Sequence, residues 1–233
     1  PVSYADAVAI AAPAVVNIHT RKTVVQQSSP LFNDPFFRRF FGEQFGIGPR
    51  EREETSLGSG VIINAKGYIL TNNHVIEGAD TIRVTLRDGR SSEATLVGSD
   101  PEADLAVLKI EQDGLPVITL GDADALRVGD VVLAIGNPFG VGQTVTLGIA
   151  SATGRSSLGI NTLENFIQTH AAINPGNSRG ALITARRQLI GLPTPNFSKS
   201  GGSQCTGFAL PVSLAKNPLA RVGHKGYFSR PCM

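Results

Sequence analysis

The feature that most constrains the fold is a series of short apolar runs between Ser59 and Val212, which are separated by glycine-rich turns. Helical periodicity is nearly absent from these runs. Many short strands with glycine-rich turns are typical of barrels and sandwiches, so the chain is predicted to be all-β. The predicted strands, including one that precedes the series, are Val15–Thr20, Gly60–Ile63, Tyr68–Thr71, Thr81–Arg87, Ser92–Val97, Leu105–Ile110, Val131–Ile135, Thr144–Ile149, Phe166–Ala171, Ala181–Ile183, Gln188–Leu192 and Thr206–Val212.

Turn chemistry supports the all-β class, and chain length bounds the number of domains. Asn64–Gly67 and Asp88–Gly89 each lie between two predicted strands and predict β-hairpins. The chain has 233 residues, 41% of them hydrophobic, which is enough for one or two domains with a sizeable core.

Three segments depart from the strand pattern. Ser3 is predicted to cap a short helix that runs through Ala12 and ends at Pro13. A second short helix is predicted to begin near Ser213. Residues 21–56 contain clustered Pro, Gly, Phe and charged residues and are predicted as one long loop. A loop of this length is typically functional or disordered, and a small satellite core is equally open for its aromatic cluster.

A turn at Asn174–Gly180 lies between two strand-like runs and carries Ser178 between Gly176 and Gly180. Such a turn can expose a hydroxyl nucleophile and aim backbone N–H groups at a developing oxyanion. On these residues alone, an ordinary turn is the more frequent explanation.

A serine nucleophile needs a histidine base, and the chain has four histidines. His19 lies within an apolar strand and is interpreted as structural, and His224 lies in a basic tail. His170 lies close to Ser178 in sequence but within a strand. His74 follows the end of a predicted strand, which is a better position for a base than the middle of a strand, although a lone histidine is more often structural than catalytic.

The base in turn needs an orienting carboxylate. Asp104 begins the apolar run Leu105–Ile110, where an unpaired charge would be costly, so a partner is predicted for it. Asp100 is the nearest competitor, but it lies in a polar turn.

The order of these residues separates two hydrolase classes. Gly176–Gly180 formally matches the G-x-S-x-G turn of α/β-hydrolases, in which the acid and the histidine follow the serine. No Asp or Glu follows Ser178 in this chain, so that class is excluded. The order His74, Asp104, Ser178 is that of chymotrypsin-like enzymes.

Three motifs resemble those of the HtrA/Deg serine proteases, namely Thr71–Val75, Asp104–Leu108 and Asn174–Ser178. Further matching segments occur in the same order and cover most of the chain up to about residue 215. They are Leu57–Ile62, Ala134–Pro138, Ser151–Arg155 and Gly207–Pro211.

The resemblance implies a chymotrypsin-like double β-barrel with the active site between the barrels. The whole chain, 1–233, would be a single protease domain with short terminal helices. An N-terminal barrel would span about 13–118 and a C-terminal barrel about 119–212. Residues 213–233 would form a C-terminal helix and tail.

The resemblance also assigns roles to the motif residues. His74 would be the general base, Asp104 its orienting partner and Ser178 the nucleophile. The backbone N–H groups of Gly176 and Ser178 would form the oxyanion hole, with Asn177 shaping its loop.

The family has a specificity pocket and an activation loop, which map onto two further segments. Residues 151–165, including Arg155, match the activation loop. The pocket would select small aliphatic residues before the scissile bond. Its lining and adjacent loop are assigned to Ile173, Asn174, Leu192, Pro193 and Thr194.

The implied partners are polypeptide substrates, with unfolded segments foremost, and two further copies of the chain in a homotrimer. No metal or organic cofactor is implied, and no PDZ domain is expected within this chain. The implied compartment is the periplasm or another extracytoplasmic space, and a membrane-proximal location stays open.

This chain departs from the family pattern near the nucleophile. Arg179 stands where the family has glycine, and His170 stands where it has aspartate. Pro193 and Pro195 remove two backbone donors from the loop beside the pocket.

Taken as a whole, the resemblance predicts a serine endopeptidase acting on unfolded proteins or on a regulatory membrane-protein substrate. The alternative is a catalytically impaired homologue that binds unfolded chains.

Charge and cysteine content limit other functions. Residues 165–233 contain eight basic and no acidic residues, whereas the formal net charge of the whole chain is only +2. Without interleaved aromatic residues this basic segment does not indicate nucleic-acid binding. Cys205 and Cys232 lack metal-ligand spacing, and the sequence is equally compatible with one disulfide between them and with two free thiols.

Overall fold

The computed structural model describes residues 3–26, 50–137, 142–155, 166–174, 177–194 and 207–214. Within these ranges the chain forms two complete α-helices, a 3-10 turn at Ala12–Ala14 and thirteen strands. The helices are α1 (Ala5–Ala11) and α2 (Asn73–Ile76). The strands are β1 (Val15–Gln26), β2 (Arg50–Ile62), β3 (Tyr68–Thr71), β4 (Thr81–Thr85), β5 (Ser91–Asp100), β6 (Leu105–Ile110), β7 (Thr119–Leu120), β8 (Val131–Gly136), β9 (Thr144–Arg155), β10 (Phe166–Thr169), β11 (Ala181–Thr184), β12 (Gln188–Thr194) and β13 (Gly207–Pro211).

The strands close into two antiparallel six-stranded barrels. The first barrel has the order β1-β2-β3-β6-β5-β4 and closes where β1 pairs with β4. The second has the order β11-β8-β9-β10-β13-β12 and closes where β11 pairs with β12. The short strand β7 lies parallel to β12. Barrel closure leaves few free strand edges, and the all-β, double-barrel prediction is confirmed.

Side-chain alternation divides the apolar residues among three cores. In β3, Ile69 packs inside the first barrel, whereas its neighbour Leu70 packs in the layer shared by the two barrels. In β11, Leu182 packs inside the second barrel and Ile183 in the shared layer. Adjacent strand residues point to opposite faces, so one strand supplies both layers. The shared layer fixes one barrel against the other and therefore positions the cleft between them.

Polar contacts also join the barrels beside the cleft. Asn17 of β1 is buried, and its amide donates to the carbonyl of Asn137, which follows β8, with an N···O distance of 3.0 Å. The backbone N–H of Asn137 donates to Ser59 Oγ of β2, also at 3.0 Å. The end of β8 is thus held against β1 and β2, and a hydrogen bond inside the protein satisfies each of these buried groups.

The two hairpins predicted from turn chemistry are confirmed. Gly67, between β2 and β3, has a φ of +85°, and Gly89, between β4 and β5, has a φ of +89°. Both values lie in the left-handed region that glycine enters without steric cost.

The prediction of one long loop at residues 21–56 is wrong at both ends. Strand β1 continues to Gln26 and β2 begins at Arg50, and the two pair along this whole length. Lys22 lies opposite Glu54 in the ladder, and opposite charges facing each other favour such a pair. The intervening residues 27–49 lie outside the described ranges.

The N-terminal helix is present but shifted. Its N-cap is Tyr4 rather than Ser3, and it ends at Ala11, with Pro13 inside the following 3-10 turn. Helical backbone begins again at Ser213, as predicted. Within the part of the chain that the structure describes, no helix combines the length and apolar character needed to cross a membrane.

Candidate active site

His74 and Asp104 form a hydrogen-bonded pair at one end of the first barrel. Strands β3 and β6 are antiparallel with Thr71 opposite Ala106, so the residues after β3 meet those before β6. His74 Nδ1 lies 2.8 Å from Asp104 Oδ1 and 2.7 Å from Oδ2. A carboxylate only accepts, so Nδ1 carries the proton and Nε2 is left as the acceptor. His74 is therefore the partner that the position of Asp104 required.

Asp104 is held in place by more than the imidazole. The backbone N–H of His74 donates to its Oδ1 at 3.0 Å, and the amide of Asn72 donates to Oδ2 at 3.3 Å. Its φ of +51° is uncommon for a residue other than glycine. The backbone carbonyl of Asp104 accepts from the N–H of Asn73 and the amide of Asn72, at 3.1 Å each. These contacts fix the direction in which the carboxylate faces the imidazole.

Asn72 is a site residue that the sequence analysis missed. It is fully buried, and within the described residues its Oδ1 has no hydrogen-bond partner. The available signal was the amide pair Asn72–Asn73 after an apolar strand, because buried amides require partners.

Ser178 lies in the turn before β11 and is turned away from the base. Its Oγ donates to the carbonyl oxygen of Asn174 at 2.7 Å, and its backbone N–H donates to the same oxygen at 2.8 Å. A hydroxyl has a single proton to donate, so Oγ does not donate to His74 in this conformation. The N–H predicted for the oxyanion hole is likewise occupied by Asn174.

Asn177 anchors this turn from inside. It is fully buried, its Oδ1 accepts from the N–H of Asn174 at 2.8 Å, and its Nδ2 donates to the carbonyl of Ala172 at 2.7 Å. The same Nδ2 donates to Thr146 Oγ1 of β9 at 2.8 Å. Every hydrogen-bonding group of this amide side chain is thereby used, which ties the turn to the wall of the second barrel.

Arg179 reaches from the second barrel to the base in the first. Its Nε donates to His74 Nε2 at 2.7 Å, and its Nη1 donates to the carbonyl of Leu57 at 2.9 Å. Its backbone N–H donates to the carbonyl of Pro193 at 2.9 Å. Burial lowers the pKa of Arg179, while the negative charge of Asp104 acts in the opposite direction. The guanidinium remains charged in proteins, so a cation is hydrogen-bonded to Nε2 of the imidazole.

The residues predicted for the pocket are placed unevenly. Ile173 is half-buried against the second-barrel core, and Asn174 is exposed. Leu192 is buried in the layer between the barrels. Pro193 and Thr194 belong to strand β12 rather than to a loop.

Of the predicted activation loop, the described residues 151–155 form the end of strand β9. Gly176, and residues 156–165 after Arg155, lie outside the described ranges, as do Pro195, Cys205 and Cys232. His170 is exposed and its Nδ1 hydrogen-bonds Ser151 Oγ, away from the His74 pair. Within the described ranges, no three His, Cys, Asp or Glu side chains are grouped as metal ligands.

A histidine–carboxylate pair from one barrel and a serine turn from the other define the trypsin-like class of peptidase. Residues 58–192 match the family described as trypsin-like peptidase domain. Among solved structures, the HtrA-type protease AlgW with decapeptide is 61% identical, with a TM-score of 0.78, and the match covers 97% of this chain and 69% of that one. The chain belongs to the trypsin-like peptidase family and, within it, to the HtrA-type proteases.

A curated relative agrees with this assignment. The periplasmic serine endoprotease DegP of Salmonella typhimurium is 48% identical over 207 residues, which cover 88% of this chain and 43% of DegP. The chain spans about half the length of the curated relatives that it matches.

Proposed function

We propose that this chain is a serine endopeptidase in which Ser178 is the nucleophile, His74 the general base and Asp104 its orienting partner. The observation that carries the proposal is the His74–Asp104 pair, with the proton on Nδ1 and with Nε2 as an acceptor that faces the second barrel. This tautomer is the one that a hydroxyl nucleophile requires.

Catalysis by this site needs two local movements. Arg179 has to leave His74 Nε2, and Ser178 Oγ has to turn from the Asn174 carbonyl toward the vacated nitrogen. His74 then accepts the hydroxyl proton as Oγ bonds to the scissile carbonyl carbon. The imidazolium returns that proton to the leaving amine as the C–N bond breaks, and water hydrolyses the resulting ester by the same route.

Formation of an oxyanion hole belongs to the same rearrangement. The Ser178 N–H now donates to Asn174, and release of that bond would free it for the tetrahedral oxyanion. The Gly176 N–H is proposed as the second donor. Two such donors supply much of the rate enhancement in acyl transfer.

The proposed substrates are unfolded polypeptides cut after small aliphatic residues, or a regulatory membrane protein. The proposed compartment is the periplasm or another extracytoplasmic space, because DegP is named as periplasmic. The AlgW structures contain a decapeptide or a tripeptide, which supports peptide substrates here. A homotrimer and a membrane-proximal location are part of the proposal. The binding-only alternative is not favoured, because these relatives are named as proteases.

The test is cleavage of a permanently unfolded model protein by the native chain, by Ser178→Ala and by Arg179→Asn. Cleavage by the native or the Arg179→Asn chain that disappears when Ser178→Ala is added is the expected result. Cleavage that persists with Ser178→Ala, or none by any folded chain, would reject the proposal.

A further inference from the structure

Arg179 has a backbone conformation that its side chain does not favour. Its φ is +71°, within the left-handed region that glycine enters freely and that Asn tolerates better than other residues. The conformation is held by the bond from its N–H to Pro193 and by β11, which starts two residues later. This geometry aims the long side chain out of the second barrel and across the cleft.

The side chain occupies the atom that catalysis needs. The lone pair on His74 Nε2 accepts a hydrogen bond from Arg179 Nε–H, with an N···N distance of 2.7 Å, so it cannot accept one from the Ser178 hydroxyl at the same time. Bonds to Leu57 in the first barrel and to Pro193 in the second hold Arg179 from both sides. The site is therefore closed by a residue of the chain itself.

The guanidinium is poorly compensated where it lies. Arg179 is half-buried, and both acceptors of its side chain are neutral groups, an imidazole nitrogen and a backbone carbonyl. Among the residues that the structure describes, no carboxylate forms a salt bridge with it; Asp104 is engaged with His74. A carboxylate that entered the cleft would make shorter and stronger bonds to the guanidinium than these neutral acceptors do.

The chemistry of the site fixes which part of a substrate meets Arg179. The leaving amine has to come within hydrogen-bond reach of His74 Nε2 to receive its proton. That amine belongs to the residue that directly follows the scissile bond. Since Arg179 Nε lies 2.7 Å from the same nitrogen, this substrate residue passes beside the guanidinium.

We propose that Arg179 is a specificity-determining latch, which closes His74 in the free protein and is displaced by an Asp or Glu side chain directly after the scissile bond. The substrate carboxylate pairs with the guanidinium, His74 Nε2 becomes free and Ser178 can turn toward it. This inference rests on the proposed protease function and names its preferred substrate. Arg179 acts here through the base and the substrate side chain, and the bond-breaking steps remain those of Ser178 and His74.

The test uses two peptides with one cleavable bond, located by mass spectrometry, that differ only in Asp or Asn after that bond. The native chain is expected to cleave the Asp peptide with a kcat/KM about tenfold or more above that of the Asn peptide, the range of a charge-assisted hydrogen bond. Arg179→Met keeps the length of the side chain but has no donor, and is expected to bring this ratio close to one.

Two further variants distinguish the effect of losing the Arg179 side chain from the effect of changing a residue with a positive φ. Arg179→Asn suits the left-handed backbone but is too short to reach His74, and is expected to give the same ratio as Arg179→Met. Arg187 also has a positive φ, of 69°, and is exposed between β11 and β12. Arg187→Asn is therefore the matched control, and is expected to keep the preference for Asp.

A spectroscopic readout follows the contact itself. The ¹⁵N chemical shift of His74 Nε2 is expected to change in Arg179→Met and to stay unchanged in Arg187→Asn. Equal Asp-to-Asn ratios in the native and Arg179→Met chains, with cleavage that still depends on Ser178, would overturn the latch and leave the protease function standing. No cleavage of either peptide by any of the chains would overturn both.

Discussion

At the scale of single residues, the site depends on one carboxylate that sets the state of one imidazole. Asp104 accepts hydrogen bonds from Nδ1–H and from the backbone N–H of His74, which fixes both the tautomer and the position of the ring. A group that is held by several short bonds needs little rearrangement during the reaction.

Replacement of Asp104 by Asn is expected to lower kcat by roughly 10⁴-fold, as the same change does in a chymotrypsin-like triad. The Asn amide can donate to Nδ1, which would put the imidazole proton on Nε2 and remove the acceptor. Steady-state kinetics on the Asp-containing peptide measure this loss. The matched control is Asp100→Asn, which changes the nearest competing carboxylate; an equal loss in both variants would argue against the role of Asp104.

At this scale the sequence singles out the proposed catalytic residues, but it does not predict the contact of Arg179. Chain order and local context single out His74, Asp104 and Ser178 because each lies in a recognisable segment. The contacts of Arg179 join residues 105 and 122 positions apart, and they depend on a positive φ and on how the two barrels meet. The sequence marks Arg179 as unusual without indicating where its side chain goes.

At the scale of elements, the serine turn is positioned by close backbone packing between β8 and β11. Gly180 is the last residue before β11, and its Cα faces the backbone of Ile135 and Gly136. A Cβ added there would lie well inside van der Waals contact with the Ile135 carbonyl oxygen. Only glycine allows the turn that carries Ser178 to lie this close to β8.

Gly180→Ala is expected to destabilise the fold by about 1–3 kcal/mol, because a backbone atom cannot move aside as a flexible side chain can. The free energy of unfolding in urea measures this cost. Gly142→Ala is the matched control, since a Cβ at that position meets nothing within 4 Å. Equal stability of the two variants would contradict the packing described for β8 and β11.

Element boundaries were less predictable than element types. The hairpins at Gly67 and Gly89 follow from local turn chemistry, so the sequence was sufficient. The sequence does not indicate the extensions of β1 to Gln26 and of β2 from Arg50. Residues 50–56 are all polar, residues 21–26 contain only two apolar residues, and the two segments pair with each other across a long separation. The stability of a polar strand depends on the neighbouring strand with which it pairs more than on its own amino-acid composition.

At the scale of the whole molecule, the site exists only where the two barrels meet. The first barrel contributes His74 and Asp104, and the second contributes Ser178 and Arg179, whose side chain reaches His74. The shared apolar layer, with Leu70 and Ile183 among its members, holds these parts in register. A double barrel could be predicted from the pattern of short strands and from the resemblance. How the two barrels pack against each other depends on side-chain packing that no local sequence pattern encodes.

The measurement that tests this account most directly is covalent labelling by a serine-directed phosphonate, with the adduct located by mass spectrometry. The expected result is a single adduct on Ser178 in the native chain, which forms faster in Arg179→Asn and is lost in His74→Ala. That result requires a nucleophile from one barrel and a base from the other to act together. An adduct on another residue, or labelling of Ser178 at an unchanged rate in His74→Ala, would contradict the account.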